Sequence, residues 1–327
     1  MSLKQTGRQL PIGKCTQDCA HGAPTRSRGP QKSCYTLDTV LTKPHTHPAM
    51  DETHTVLSKD GTKIAYLSLG DGPAVLVLPG VLSMASDYAA LARALAQHFT
   101  VHVIERRGRG KSGPQGDDYS IVRECEDVLA VQRQTGARLL VGHSYGGLVA
   151  LEVARGNSVF TRIAVYEPGV SIDGSMPVHW MAGYQKKLAE ERKLDALVEF
   201  TLADAPPRLA KLPPWLMKLL LRVSFLRFPE SRQMLNLLRE NIREWQEIAR
   251  LDSTYENYRQ IAAGVLLMYG GQSDSPAVDL VVKRLPSVLP CCETKEFPRL
   301  DHFGIERTAP HEVAKVTSDY FLASNEG

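Results

Sequence analysis

The chain lacks what a membrane-spanning or disulfide-stapled protein needs. No apolar run approaches the roughly 18 residues of a membrane helix, so no span is expected. The first 30 residues hold no apolar stretch of signal-peptide length. Six cysteines in 327 residues are too few for a disulfide framework and read as reduced thiols, which suits a cytoplasmic protein. Cys15, Cys19, His21 and Cys34 match no common zinc spacing, so no metal is expected. An excess of one charge is also missing. Lys and Arg total 39 against 36 Asp and Glu, a net of +3, which gives no electrostatic case for nucleic acid as a partner. What is there, 43% hydrophobic and 23% charged residues, is ordinary globular composition.

The small positive balance is unevenly placed. Residues 1–49 carry seven bases and two acids, and the rest of the chain sums to −2. This first segment has no helical or strand period, and Pro24, Pro30, Pro44 and Pro48 interrupt it. It reads as a disordered basic extension. A basic, acid-poor terminus also fits an organelle transit peptide, but the amphipathic Arg-rich helix of such a peptide is missing.

From residue 50 the pattern alternates. Thr55–Leu57 and Lys63–Leu69 read as paired strands about the turn Lys59-Asp60-Gly61. Ala74–Leu78 is a continuous apolar run, as in a strand buried on both faces. Ser86–His98 has helical spacing, Val101–Ile104 is a strand, Ile121–Thr135 a helix, Arg138–Val141 a strand, Leu148–Arg155 a helix and Arg162–Tyr166 a strand. Strand and helix in alternation imply α/β architecture, a mainly parallel doubly wound sheet with helices on both faces. The alternation stops near Gly169 and resumes near Gly264. Residues of about 170–262 form a helical insertion, with an amphipathic stretch at Gln185–Leu202, a Leu-rich stretch at Trp215–Phe228 and a helical period over Ser231–Leu251. Val265–Met268, Ala277–Leu285, Thr294–Phe297 and Pro310–Phe321 then complete the pattern. The organisation is one body, residues 50–327, interrupted by the insertion.

Gly142-His143-Ser144-Tyr145-Gly146 fits Gly-x-Ser-x-Gly between a predicted strand and a predicted helix, the context that motif requires. Turning directly from strand to helix forces Ser144 into a strained conformation and leaves no room for side chains at 142 and 146. The hydroxyl is then presented at the carboxyl edge of the sheet, and the Tyr145 N–H faces any developing oxyanion. His143 is adjacent to Ser144 in sequence, so its side chain points elsewhere and reads as packing.

With Leu78-Pro79-Gly80-Val81 after a central strand, Glu105-Arg106-Arg107-Gly108-Arg109-Gly110-Lys111-Ser112, the Ser144 turn, and the pair Gly270-Gly271-Gln272-Ser273-Asp274 and Asp301-His302-Phe303-Gly304, the sequence resembles the α/β-hydrolase superfamily over roughly residues 53–323. The resemblance implies the α/β-hydrolase fold with a helical cap, a Ser-acid-His triad in that chain order, and no cofactor. Ser144 would be the nucleophile and His302 the base. Asp274 is the favoured acid from its loop position, and Glu167, after the strand that precedes the insertion, competes with it. Val81 matches the second oxyanion donor, with proline where the family usually has histidine. Trp180, Met181 and Tyr184 are candidate substrate contacts on the cap, whose apolar character implies a small-molecule substrate with a hydrophobic part. The expected activity is serine hydrolysis of a small to medium apolar ester. Acyl transfer, carbon–carbon bond hydrolysis, cofactor-free peroxidation and slow-turnover ligand reception remain open on the same constellation.

Other motifs fail. Gly110-Lys111-Ser112 lacks the glycine that a phosphate-binding loop needs five residues before Gly110. Arg106, Arg107 and Arg109 read as a structural turn tied to carboxylates. There is no Gly-x-Gly-x-x-Gly after the first strand and no His-Glu-x-x-His.

Overall fold

The computed structural model describes residues 52–203 and 211–323, with the side chains of residues 229 and 230 left aside. The basic extension at 1–49 and its Cys/His group therefore lie outside the described residues.

Eight strands form one sheet in the order β1-β2-β4-β3-β5-β6-β7-β8. The strands β1 (Glu52–Leu57) and β2 (Lys63–Leu69) pair antiparallel across the predicted turn, and β2 continues antiparallel onto β4 (Thr100–Glu105). From there the sheet is parallel: β4 with β3 (Ala74–Leu78), then β5 (Leu139–His143), β6 (Arg162–Tyr166), β7 (Gly264–Gly270) and β8 (Cys292–Phe297). The central strands are apolar runs because helices cover both faces. Val75 to Leu78, Leu140, Val141, Ile163 to Val165 and Val265 to Met268 are all buried. The edge strand β1 alternates and stays partly exposed.

Helices α1 (Ala89–Leu95), α2 (Ile121–Thr135), α3 (Tyr145–Arg155), α8 (Pro276–Arg284) and α9 (Pro310–Leu322) surround the sheet. Their ends follow local chemistry. Gly136, at φ 70°, closes α2 in the left-handed conformation that glycine reaches most easily. Proline opens α8 and α9 at their first turn, where its missing N–H is not needed.

Between β6 and β7 the chain is helical: α4 (Met181–Ala189), α5 (Lys193–Ala203), α6 (Pro214–Arg227) and α7 (Leu238–Arg250). The single amphipathic helix expected over Gln185–Leu202 is in fact two. The chain turns at Glu190 to Arg192, with Glu191 at φ 55° and the Arg192 N–H bonded back to the Lys187 carbonyl at 2.8 Å. The stretch expected as one helix over Ser231–Leu251 likewise opens with a 3₁₀ segment, Pro229–Asn236, before α7.

A buried set of charges ties α7 to the body. Arg106, Arg107 and Arg109 are the structural turn the sequence suggested. Arg107 meets Asp127 at 2.6 and 2.7 Å and Asp60 at 3.1 Å. Arg106 bonds Glu124 at 2.9 Å and Glu244 of α7 at 3.1 Å, and Arg109 bonds the same Glu244 at 2.7 Å. Glu247, one turn further along α7, accepts the Ile121 N–H at 2.9 Å and so caps the positive end of α2.

Candidate active site

Ser144 stands between β5 and α3 at φ 52° and ψ −122°. A non-glycine residue held there carries strain on the order of 1–3 kcal/mol, which the surroundings must enforce. They do so through the backbone. The Ser144 N–H bonds the Tyr166 carbonyl at 3.1 Å, and its own carbonyl accepts the N–H groups of Gly147, Leu148 and Gly169 at 2.9, 3.1 and 2.8 Å. The two motif glycines are needed for space. A Cβ on Gly142 would lie 2.6 Å from the Gly146 carbonyl oxygen, and one on Gly146 would lie 2.2 Å from the Leu78 oxygen. Ser144 is half-buried between the buried His143 and Tyr145.

His302 sits on the loop after β8, and Glu167 directly follows β6. The two meet: His302 Nδ1 donates to Glu167 Oε2 at 2.8 Å. Glu167 holds φ 42°, and its side chain is fully buried, while the imidazole is 29% exposed. The other carboxylate oxygen of Glu167 accepts the Gly270 N–H at 2.8 Å and the Ser273 hydroxyl at 2.5 Å. Because a carboxylate only accepts, the neutral ring carries its proton on Nδ1 and its lone pair on Nε2.

Of the two carboxylates the sequence offered, the structure brings Glu167 and not Asp274 to His302. Asp274 is exposed, and the hydrogen bond to His302 comes from Glu167 instead. The loop after β7 still contributes to the group, through Gly270 and Ser273 rather than through its aspartate. The glutamate reaches the imidazole because the backbone turn at residue 167 sends its side chain inward along the sheet edge.

The turn after β3 approaches from the other side. A Cβ on Gly80 would lie 3.2 Å from Ser144 Cβ, which puts Val81 in the same neighbourhood. Tyr145 opens α3, where helix geometry leaves its N–H without an intrahelical acceptor. Arg106 bonds the Gly80 carbonyl at 2.9 Å and lies 4.9 Å over the Tyr145 ring, so the buried charge cluster also supports this turn.

His143 has a part that its position next to Ser144 concealed. It is buried, and its Nε2 meets the carbonyl of His302 at 2.9 Å. A carbonyl accepts, so Nε2 donates and Nδ1 is the acceptor. Nδ1 takes the Tyr88 hydroxyl proton at 2.6 Å, and that hydroxyl accepts the Gly80 N–H at 2.9 Å. One directed chain thus runs from Gly80 through Tyr88 and His143 to the loop of His302. Burial pushes the His143 pKa well below its ordinary value, which keeps the ring neutral as this chain requires.

The expected cap contacts lie in or against the core of the insertion. Trp180 and Tyr184 are buried in an aromatic cluster with Phe200 and Trp245, with ring centroids 5.0 to 5.4 Å from Trp180. The Trp180 indole N–H is used on the Pro177 carbonyl at 2.8 Å, and the Tyr184 hydroxyl on Leu238 at 2.9 Å. These two side chains are core of the insertion, and half-buried Met181 packs against the same core. Among the described residues no group of His, Cys, Asp and Glu is placed to hold a metal ion, and no helix is long and apolar enough to cross a membrane.

A family model for the alpha/beta hydrolase family matches residues 75–316, well over half of the chain. The chain belongs to the alpha/beta hydrolase family. Among solved structures, an alpha/beta hydrolase from Sphaerobacter thermophilus is 28% identical with a TM-score of 0.70, covering 82% of this chain and 100% of that one. An esterase from Exiguobacterium antarcticum is 16% identical with a TM-score of 0.62, covering 81% of this chain and 98% of its own, a likeness of fold alone. Among curated sequences, an uncharacterized protein of Mycobacterium tuberculosis is 34% identical over 100 residues, 29% of this chain. That match spans only 28% of the relative's length. The fold and the family are those the sequence resemblance implied.

Proposed function

We propose that this family member is a serine hydrolase of small to medium apolar carboxylic esters, working through an acyl-enzyme. The observation that carries the reading is the 2.8 Å bond from His302 Nδ1 to the buried Glu167 carboxylate, at the same sheet edge as the strained Ser144. In this scheme Ser144 Oγ attacks the acyl carbon as His302 Nε2 takes its proton. Glu167 holds the imidazole in the right tautomer and stabilises its charged form. The N–H groups of Val81 and Tyr145 receive the oxyanion. His302 then returns the proton to the departing alcohol, and a water activated by the same ring releases the acid. The helices between β6 and β7 would serve as a cap that excludes bulk water. Several structural neighbours are esterases by name, which agrees with this reading.

The test is covalent. A fluorophosphonate probe should label the wild-type protein and leave Ser144→Ala unlabelled. Hydrolysis of p-nitrophenyl butyrate by that variant should fall by about 10³-fold or more. A well-folded wild type that takes no label and hydrolyses no ester across a panel of acyl lengths would reject the proposal.

A further inference from the structure

Helix α6 has two apolar faces. Met217, Leu221 and Phe225 are buried against the rest of the insertion. On the opposite side Trp215 is 67% exposed, Leu219 and Val223 are each 49% exposed, and Leu226 is 73% exposed. These four follow at intervals of four, four and three residues, so they form one continuous stripe along the helix. Single exposed apolar residues are ordinary, but a row of four large ones with tryptophan at one end marks a contact surface.

The charges around the stripe say what it contacts. From Lys211 to Phe228 the chain has four bases, Lys211, Lys218, Arg222 and Arg227, and no acid. Lys211, Arg222 and Arg227 are exposed. The acids on the adjoining α5 are already engaged, Asp195 by Lys218 and Arg192 and Glu199 by Lys187. A second copy packed face to face through its own α6 would bring bases against bases. The chain's own residues 1–49, with seven bases and two acids, have the same wrong sign. A surface that is apolar at depth and negative at its boundary satisfies both features. We propose that α6 docks the protein reversibly on an anionic lipid bilayer, with Trp215, Leu219, Val223 and Leu226 dipping below the headgroups and Arg222 and Arg227 at the phosphate level. The docking is independent of the chemistry at Ser144.

Trp215 reports on its own surroundings, because Trp180 and Trp245, the other two tryptophans, are only 2% and 3% exposed. Full-length protein mixed with phosphatidylcholine–phosphatidylglycerol vesicles should show a blue-shifted emission and should pellet with them. Phosphatidylcholine vesicles alone should bind at least tenfold more weakly. Leu219→Ser/Leu226→Ser should lose binding tenfold or more with an unchanged melting temperature, and Ser144→Ala should bind as wild type does. Trp215→Ser, followed by pelleting alone, should weaken binding as well. Unchanged Trp215 emission on anionic vesicles would overturn the proposal. So would pelleting that survives the double serine variant, which would assign binding to residues 1–49. A concentration-dependent dimer in sedimentation velocity that the double variant abolishes, with no vesicle binding, would assign the face to a second copy and equally overturn it.

Discussion

Glu167 accepts three hydrogen bonds, two on one oxygen and one on the other. An amide there keeps the Gly270 and Ser273 bonds on its oxygen but turns an NH₂ toward His302 Nδ1. The ring must then move its proton to Nε2, the nitrogen that takes the Ser144 proton in the proposed scheme. Glu167→Gln should therefore lower kcat for p-nitrophenyl butyrate by about 10³- to 10⁴-fold, while Asp274→Asn stays within about twofold of wild type. Damage from Asp274→Asn with Glu167→Gln near wild type would assign the acid's role to Asp274. The placement of Ser144 in a strand-to-helix turn and of His302 on the loop before the last helix was legible because each has a local signature, a glycine-flanked serine and a histidine ahead of the closing helix. Which carboxylate meets His302 was not legible from position. Both candidates follow a parallel strand, and what separates them is the direction of the chain after β6, set by φ 42° at residue 167. The part played by His143 was hidden for a similar reason. Its partners Tyr88 and His302 lie 55 and 159 residues away, and only the folded sheet edge brings them together.

At the level of the elements, the strand-to-helix turn is held by close backbone approach. A methyl on Gly146 meets the carbonyl oxygens of Leu78 and Pro79 at 2.2 and 2.6 Å, and backbone cannot rotate away as a side chain would. Gly146→Ala should push β3 and α3 apart, cost about 1–3 kcal/mol of stability, and remove fluorophosphonate labelling. Gly156→Ala is the control, since its nearest heavy atom would be 3.9 Å away, and it should melt and label like wild type. The strands and the helices around the sheet were readable because their apolar period is set by burial on fixed faces. The insertion was less so. Its helices share one apolar core, so hydrophobic spacing runs on across Glu190 to Arg192 while the backbone breaks there.

Across the whole molecule, Glu244 joins the insertion to the body. It is fully buried between Arg106 and Arg109. Burial alone would raise its pKa, but the two guanidiniums outweigh it and hold the carboxyl below its ordinary 4.5. A depressed folded-state value means that the stabilisation is fully present above about pH 4.5 and is lost as the pH falls through the folded value. Glu244→Gln leaves two buried cations short of their counter-charge and should cost about 3–5 kcal/mol, read as a lower melting temperature that is constant from pH 8 to about pH 5. Below that the wild type should converge on the variant. A gap that persists undiminished into acid would show that Glu244 acts by packing rather than charge. The same anchoring limits how the site can open. Lifting α7 would strip Arg106 and Arg109 of a shared carboxylate and uncap α2 in one motion, so α7 behaves as a fixed post. A rearrangement confined to α5 and α6 would leave those bonds intact, so the flank of the insertion away from α7 is the one free to shift without uncovering buried charge.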